Sequence, residues 1–190
     1  SKRKVNIAVV LPLNPFWSFS IPRVKPAIDI AIETLNNNTK IISNMDISVR
    51  YADSNCNAAM GINEAFNFYL HKHVDVYFGP CCDYAAAPIA RQIPFWDLPM
   101  VTAGAMAGDF GRMKKSVYPL LTRVGTNFNS LAQCIVDILD NFNWHKVKLL
   151  YQHKGLDYIV GKYCHLAAEA IHIGIGTSGK NIKQDYFKFE

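Results

Sequence analysis

The sequence predicts an α/β protein in which helices flank a parallel sheet. Short apolar runs rich in β-forming residues alternate with stretches whose apolar residues recur every three or four positions, as they do on one face of a helix. The connections between these segments are short. No apolar run reaches the roughly 18 to 20 residues that cross a bilayer. Strands that alternate with helices across short loops favour a parallel sheet with right-handed crossovers.

The first part of the chain supplies four strands and three helices. The predicted strands cover residues 6–11, 47–51, 74–78 and 100–102, and the predicted helices cover residues 24–35, 61–72 and 83 to about 92. Pro26 is expected in the first turn of the first helix, where its missing N–H costs no hydrogen bond. Each strand is therefore followed by a helix that can return the chain to the start of the next strand.

A polar and basic stretch, residues 109–117, interrupts this rhythm. Beyond it, strands are predicted at residues 120–124, 147–151 and 182–189, and helices at residues 127–142 and 158–173. Because the alternation restarts near Asn127, we expect a lobe boundary at about Gly125. The predicted domains are a first α/β lobe, residues 1–125, and the beginning of a second, incomplete lobe, residues 126–190.

The chain is organised around residues 79–91, where a strand ends and a helix begins. Gly79 and Pro80 end the strand, and Asp83 is expected to accept the first free backbone N–H groups of the helix. Such a turn presents unpaired N–H groups and the positive end of a helix dipole at the carboxyl edge of the sheet. We therefore expect an anion, or a polar group of a ligand, at this turn.

Charge and cysteine content exclude several classes of function. The net charge of +5 comes from dispersed Lys and Arg residues, which provide no basic stripe for a nucleic acid. The five cysteines form no Cys-x-x-Cys pair, which argues against a zinc site. Cys56 and Cys82 both follow neighbouring predicted strands, so they are either a disulfide or two reduced thiols at one sheet edge. Asn37 begins an Asn-Asn-Thr glycosylation sequence.

No catalytic constellation is evident in the sequence. Residues 174–179 match the Gly-x-Gly-x-x-Gly spacing of dinucleotide-binding loops. That motif must follow a strand and open a helix, whereas these glycines follow a predicted helix and precede a strand-like segment. We therefore expect a flexible turn at residues 174–179. The alternative interpretation of these glycines is a nucleotide-binding loop, which would make the protein a nucleotide-using, Rossmann-like enzyme.

Residues 79–91 also carry a family resemblance. This block, together with residues 51–56, 96–100, 102–104 and 121–124, closely resembles the extracellular hormone-binding domain of the natriuretic peptide receptors. The resemblance implies a type I periplasmic-binding-protein-like fold of two lobes. It also implies a homodimer that binds a natriuretic-type peptide hormone between its chains, outside the cell, on a receptor whose single membrane span lies downstream. Either a clearance-type or a guanylate-cyclase-coupled receptor fits, and any cyclase domain would lie outside this chain.

The resemblance also assigns roles to individual residues. A chloride ion would be held by the Ser54 hydroxyl and by the backbone N–H groups of Cys81 and Cys82. Cys56 and Cys82 match the family's first disulfide, and Cys164 matches half of a second disulfide whose partner lies outside this chain. The positions that face the hormone are Tyr84 and Arg91, with Tyr151 and His153 as further candidates.

Two residues depart from the family pattern. Pro94 is expected to end its helix early. Cys81 places a thiol beside the disulfide, with which it could exchange. A solute-binding protein or amino-acid receptor of the same fold, with a small ligand between the lobes, is the alternative function.

Overall fold

The computed structural model describes residues 3–37 and 44–190 as strands joined by helices. The strands are β1 (Arg3–Leu11), β2 (Met45–Asp53), β3 (Val76–Phe78), β4 (Met100–Thr102), β5 (Leu121–Arg123), β6 (Lys146–Gln152) and β7 (Lys183–Phe189). The helices are α1 (Ile21–Asn37), α2 (Ala58–Leu70), α3 (Asp83–Trp96), α4 (Asp109–Arg112), α5 (Phe128–Asn141) and α6 (Tyr163–Thr177). None of these helices is both long and apolar enough to cross a membrane.

The first five strands form one parallel sheet in the order β2-β1-β3-β4-β5. The chain first adds β2 on one side of β1 and then crosses back to add β3 on the other side. The strand order therefore reverses beside β1, and the carboxyl ends of β1 and β3 flank the crevice in which open α/β sheets place ligands. The predicted α/β class, with helices around a parallel sheet, is confirmed.

Both faces of this sheet are covered. Along β1 the side chains of Ile7, Val9 and Leu11 point to one face, where they pack with α1. The intervening Ala8 and Val10 point to the other face, into the core that includes α2 and α3. Since neighbouring side chains of a strand point in opposite directions, an unbroken apolar run is what a doubly covered strand requires.

The last two strands form a second parallel sheet, β6 with β7, whose register pairs Lys146 with Lys183 and Gln152 with Phe189. Helices α5 and α6 pack over one face of it, through a core that includes Val136 and Ile171. The buried positions of α5 recur every three or four residues, which is the pattern that predicted this helix.

The prediction of a flexible turn at residues 174–179 is wrong, because Gly174 and Gly176 lie inside α6. A Cβ atom on Gly174 would lie 2.7 Å from the Cβ atom of Ala132 in α5, so this glycine allows the two helices to approach closely. Of the three glycines in this segment, only Gly179 has a positive φ, at 71°, and it ends the segment as a turn. Gly174 serves helix packing, and the segment opens no helix as a nucleotide loop would.

The helix predicted at residues 158–173 begins five residues later, at Tyr163. Residues before it form turns, and Lys162 takes a left-handed φ of 62° while its N–H donates to the Asp157 carboxylate at 2.9 Å. At the other end, α6 continues to Thr177.

Two predictions about prolines are also wrong. Helix α1 begins at Ile21, so Pro26 lies in its second turn instead of its first. Helix α3 runs through Pro94 to Trp96 and ends at Asp97, which takes a left-handed conformation. Proline removes one backbone donor, whereas burial of Ile93 and stacking of Trp96 on Tyr69 at 4.7 Å hold the last turn in place.

Candidate functional site

The turn between β3 and α3 is the first component of the candidate site. Gly79 has a φ of +79°, and a Cβ atom there would lie 2.5 Å from the carbonyl oxygen of Val10, so only glycine fits. The Gly79–Pro80 peptide bond is cis. The N–H of Gly79 donates to the carbonyl of Val101 at 2.9 Å, which ties the turn to β4.

A disulfide joins this turn to the turn after β2. The sulfur atoms of Cys56 and Cys82 are 1.98 Å apart, and their Cα atoms are 5.4 Å apart. Cys82 is the N-cap residue of α3, and Asn57, which follows Cys56, caps α2 by accepting the N–H groups of Ala59 and Met60. The disulfide therefore links the starts of two helices at the carboxyl edge of the sheet.

Three hydrogen-bond donors lie around this disulfide. The Ser54 side chain is fully buried, and its hydroxyl oxygen accepts the N–H of Cys56 at 3.3 Å, which leaves the hydroxyl hydrogen available. Within residues 3–37 and 44–190, the backbone N–H groups of Cys81 and Cys82 have no hydrogen-bond acceptor. Both cysteines are buried, so these donors are withheld from bulk water.

Cys81 contributes a buried thiol that is not part of the disulfide. Its side chain is 4% exposed, and burial raises the pKa of the thiol to about 11. Hydrogen bonding from Thr102 opposes this shift in pKa. The thiol is therefore neutral near pH 7, whereas exchange with a disulfide requires the thiolate.

The prediction that Asp83 accepts the first N–H groups of its own helix is wrong. The Asp83 Oδ1 atom accepts the backbone N–H of Ala107 at 2.6 Å, across 24 positions of the chain. Its Oδ2 atom is buried and has no hydrogen-bond partner among the described residues. Burial raises the pKa of Asp83 to about 6, although the hydrogen bond from Ala107 and the charge of Arg123 pull the pKa downward. The carboxylate instead connects the start of α3 to the loop after β4.

A cleft of about 470 Å³ opens next to Asp83. One wall is α3, which contributes Tyr84 and Arg91, two helical turns apart on one face. Ala107 and Gly108 form a second wall, and α6 contributes Glu169 on a third. The structure therefore brings two of the predicted hormone-facing residues, Tyr84 and Arg91, into one concave surface.

Cations accompany the aromatic rings of this cleft. The Lys162 Nζ atom lies 4.8 Å from the centre of the Tyr84 ring, which is 46% exposed. The Arg91 guanidinium lies 5.6 Å from the centre of the buried Tyr118 ring. A guanidinium over an aromatic face is attracted to it, so the Tyr118 ring helps to hold the exposed Arg91 side chain in place.

The other two candidates, Tyr151 and His153, do not line this cleft. Tyr151 lines a separate cavity of about 190 Å³ with His165 and His172, and His153 lines a further cavity beside Lys188. The His153 and His165 rings are 5.0 Å apart, and the Nδ1 atom of each is buried without a partner in the described part of the chain. Burial, followed by the charges of Lys188 and His165, lowers the pKa of His153.

Sequence reasoning missed several residues of the site. Nothing in the pattern around Lys162 or Glu169 indicated that either would face α3, because both contacts join segments about 80 positions apart. Asp83 lies within residues 79–91, but its partner Ala107 does not, so the hydrogen bond between them was not predicted. In the described parts of the chain, no group of three His, Cys, Asp or Glu side chains is arranged to hold a metal ion.

Two predicted positions lie outside the cleft. Cys164 is half-buried and forms no disulfide with the described residues. Asn37 is exposed at the end of α1. Asn38 and Thr39, which complete its glycosylation sequence, lie outside the described residues.

Sequence comparison identifies the class of protein to which this fold and cleft belong. The family model described as "Receptor family ligand binding region" matches residues 23–178, and the chain belongs to that family, the ANF receptor family. It is 30% identical to atrial natriuretic peptide receptor 3 of Bos taurus and 31% identical to that of Rattus norvegicus, each over 96% of the chain. It is 33% identical to atrial natriuretic peptide receptor 2 of Homo sapiens over 78% of the chain.

The resemblance to natriuretic peptide receptors is therefore confirmed. The chain spans 35% of the length of the two receptor 3 relatives and 14% of the length of the human receptor 2 relative. The match thus covers a ligand-binding region and leaves most of each relative unmatched.

Proposed function

We propose that this chain is the extracellular peptide-hormone-binding region of a natriuretic-peptide-receptor-like, single-pass receptor. The observation that carries the proposal is the identity of about 30% to receptors named for atrial natriuretic peptide across nearly the whole chain. These relatives are named as receptors for a natriuretic peptide, which favours this function over a solute-binding protein of the same fold. The two lobes would be residues 1–125 and 126–190, in keeping with the two separate sheets.

The cleft has the chemistry that a peptide requires. Tyr84 offers a half-exposed aromatic face, and Arg91 offers a guanidinium whose position is restrained by Tyr118. Aromatic and arginine side chains that are fixed before binding contribute strongly to interfaces, because little side-chain entropy remains to be lost. A cleft of about 470 Å³ holds only a few side chains, so most of a peptide hormone would lie across its mouth.

Tyr151 and His153 would extend this surface. Glu169 lines both the main cleft and the smaller cavity that contains Tyr151, so the two openings adjoin on α6. His153 is joined to that cavity through its contact with the His165 ring. An extended peptide that occupies the cleft beside Tyr84 can therefore continue along α6 towards these two residues.

The turn beside the disulfide is the proposed site of a chloride ion. The Ser54 hydroxyl and the N–H groups of Cys81 and Cys82 are buried donors that have no acceptor among the described residues, and the start of α3 adds a positive dipole end. Bound there, the ion would supply negative charge that satisfies these donors. It would stabilise the turn from which the Tyr84 wall of the cleft begins, without contacting the hormone.

A homodimer is the proposed assembly, and its interface would include the outer surface of α2 and α3. That surface exposes large apolar side chains: Phe66 is 45% exposed, Leu70 is 58% exposed and Phe95 is 82% exposed. Large exposed apolar residues of this kind are typical of protein–protein interfaces. The hormone would then lie between the two receptor chains.

The remaining assignments follow from the same proposal. The segment would have no enzymatic activity of its own, and a cyclase, if the receptor carries one, would lie outside this chain. Cys164 would pair with a cysteine outside this chain, and Asn37 would carry a glycan on the exposed end of α1.

The function is tested by measuring saturable binding of labelled atrial natriuretic peptide to the full-length protein on cells. Tyr84→Ala and Arg91→Ala are each expected to weaken binding by roughly thirtyfold, since hot-spot truncations cost about 2 kcal/mol. Tyr158→Ala is the control, because Tyr158 is an exposed tyrosine outside the cleft. Absence of saturable binding by the unaltered protein would remove the proposed function, and unchanged affinity in both variants would remove the two contacts.

The chloride proposal has its own test. Crystals grown in bromide are expected to show an anomalous peak at the turn formed by Ser54, Cys81 and Cys82. A map with no peak there would refute the site without affecting the hormone proposal.

A further inference from the structure

The loop after β4 forms one wall of the cleft, and we call residues 103–108 the wall loop. Ala107 and Gly108, at its end, line the cleft. The N–H of Ala105 donates to the carbonyl of Cys81 at 3.1 Å, and the Arg123 guanidinium donates to the carbonyl of Ala105 at 3.0 Å. These contacts hold the first half of the loop, away from the cleft.

The second half of the wall loop is held on both of its sides, by α3 and by α5. On the side of α3, the Asp83 carboxylate accepts the N–H of Ala107 at 2.6 Å. On the side of α5, the carbonyl of Met106 accepts the N–H of Phe128, and the carbonyl of Gly108 accepts the Asn129 side-chain amide, both at 2.9 Å. Asp83 is thus the link between the part of the loop that lines the cleft and the helix that carries Tyr84 and Arg91.

The chemistry of Asp83 is unusual for a residue with a purely structural role. It is 4% exposed, only one of its two carboxylate oxygens has a partner within the described chain, and an acidic side chain is rarely buried unless it is paired. An apolar residue at this position would avoid the cost of desolvating the carboxylate but would leave the Ala107 N–H without this acceptor. The Asp83 side chain therefore provides a hydrogen-bond acceptor for the Ala107 N–H and not efficient packing.

We propose that Asp83 is a positioning residue for the ligand: by accepting the Ala107 N–H, it fixes the wall loop against α3 and so sets the width of the cleft in which Tyr84 and Arg91 meet the peptide. This inference rests on the proposed function for its ligand. The positioning itself is a property of the unliganded molecule, and it can be measured without any ligand.

The first experiment measures hydrogen–deuterium exchange of the full-length protein without peptide. In Asp83→Ala, the amides of residues 106–108 are expected to exchange roughly tenfold faster than in the unaltered protein, because the Ala107 N–H loses its hydrogen-bond acceptor. Asp83→Asn retains an oxygen acceptor of the same shape and is expected to exchange at the original rate. Asp137→Ala, which removes an exposed carboxylate on α5, controls for loss of charge. Equal exchange at residues 106–108 in Asp83→Ala and the unaltered protein would overturn the proposal.

The second experiment measures binding of labelled atrial natriuretic peptide to the same set of variants. Asp83→Ala is expected to lose roughly tenfold in affinity, whereas Asp83→Asn restores it. Equal losses in Asp83→Ala and Asp83→Asn would overturn the proposal, since the retained acceptor would then have no effect. If the unaltered protein binds no peptide, the proposed function fails, and hydrogen–deuterium exchange still decides whether Asp83 positions the wall loop.

Discussion

Replacing Asp83 by asparagine should make the protein more stable at neutral pH. Burial raises the pKa of this carboxyl from 3.8 to about 6, so the folded state holds the proton more tightly than the unfolded state does. A shift of this size corresponds to roughly 3 kcal/mol of unfavourable free energy once Asp83 is ionised in both states. The folded state is free of this cost below about pH 4 and bears it in full above about pH 7. The neutral amide of the substituted side chain would resemble the protonated acid at every pH.

Urea unfolding of the purified protein, with its disulfide intact, tests this prediction. At pH 7.5 the free energy of unfolding of Asp83→Asn should exceed that of the unaltered protein by up to about 3 kcal/mol, and at pH 4 the two should agree. Asp137→Asn, which alters an exposed carboxyl, should show no such pH-dependent gain. If Asp83→Asn is equally stable or less stable at pH 7.5, the ionised carboxylate is not costly, and the reasoning from its burial is refuted.

Three further changes test other parts of the structure. Replacing Cys56 and Cys82 together by serine should lower the free energy of unfolding, measured in urea without reductant, by about 3 to 4 kcal/mol, as expected for opening a loop of this length, and an unchanged value would contradict a stabilising role for this disulfide. Because the Lys162 ammonium lies over the Tyr84 ring, a peptide that stacks on this ring must displace it. Lys162→Ala should therefore expose the Tyr84 ring and tighten peptide binding by up to about fivefold, and weaker binding would contradict this competition for the ring. Gly174→Ala should destabilise the contact between α5 and α6 by about 1 to 3 kcal/mol in thermal unfolding. Gly176→Ala, where there is room for a methyl group, should be neutral or stabilise the protein by up to about 1 kcal/mol, and equal effects at both glycines would contradict the packing argument.

Local patterns were sufficient wherever an element is defined by its own residues. The predicted strand at residues 100–102 matches β4, and the helix predicted at residues 127–142 matches α5 to within one residue at each end. In α5, the signal is strong because Asn127 caps the helix by accepting the N–H of Ser130, and apolar residues recur along one face. Capping and apolar periodicity involve residues that are close along the chain, so both can be recognised from the sequence.

Tertiary contacts overrode local patterns elsewhere. Pro94 has a local tendency to end a helix, but packing of Ile93 and Trp96 carries α3 past it. Gly174 has a local tendency to form a turn, but its proximity to Ala132 makes it a helix-packing position. Neither outcome follows from the neighbouring residues alone, because the deciding partner lies on another element.

In the candidate site, too, local features were predicted from the sequence and features that depend on tertiary contacts were not. Residues 79–91 were recognisable in the sequence as a turn that opens a helix, and Tyr84 and Arg91 are close enough along that helix for their shared face to be inferred. The opposite walls of the cleft come from the wall loop and α6, whose distance from α3 is set by the whole fold. The role of Asp83 was missed for the same reason, since its backbone partner lies 24 positions away.

The buried Cys81 thiol has a consequence for how the chain acquires its disulfide. Cys81 and Cys82 are adjacent, so an unfolded chain can join Cys56 to either of them with nearly equal loop lengths. When Cys56 pairs with Cys82, residue 81 packs beside Thr102, where burial keeps its thiol neutral at pH 7. Oxidative folding can therefore sample both pairings while the turn is open, and closure of the turn then retains the correct one. Packing of Cys81 in the folded protein thus favours the disulfide between Cys56 and Cys82.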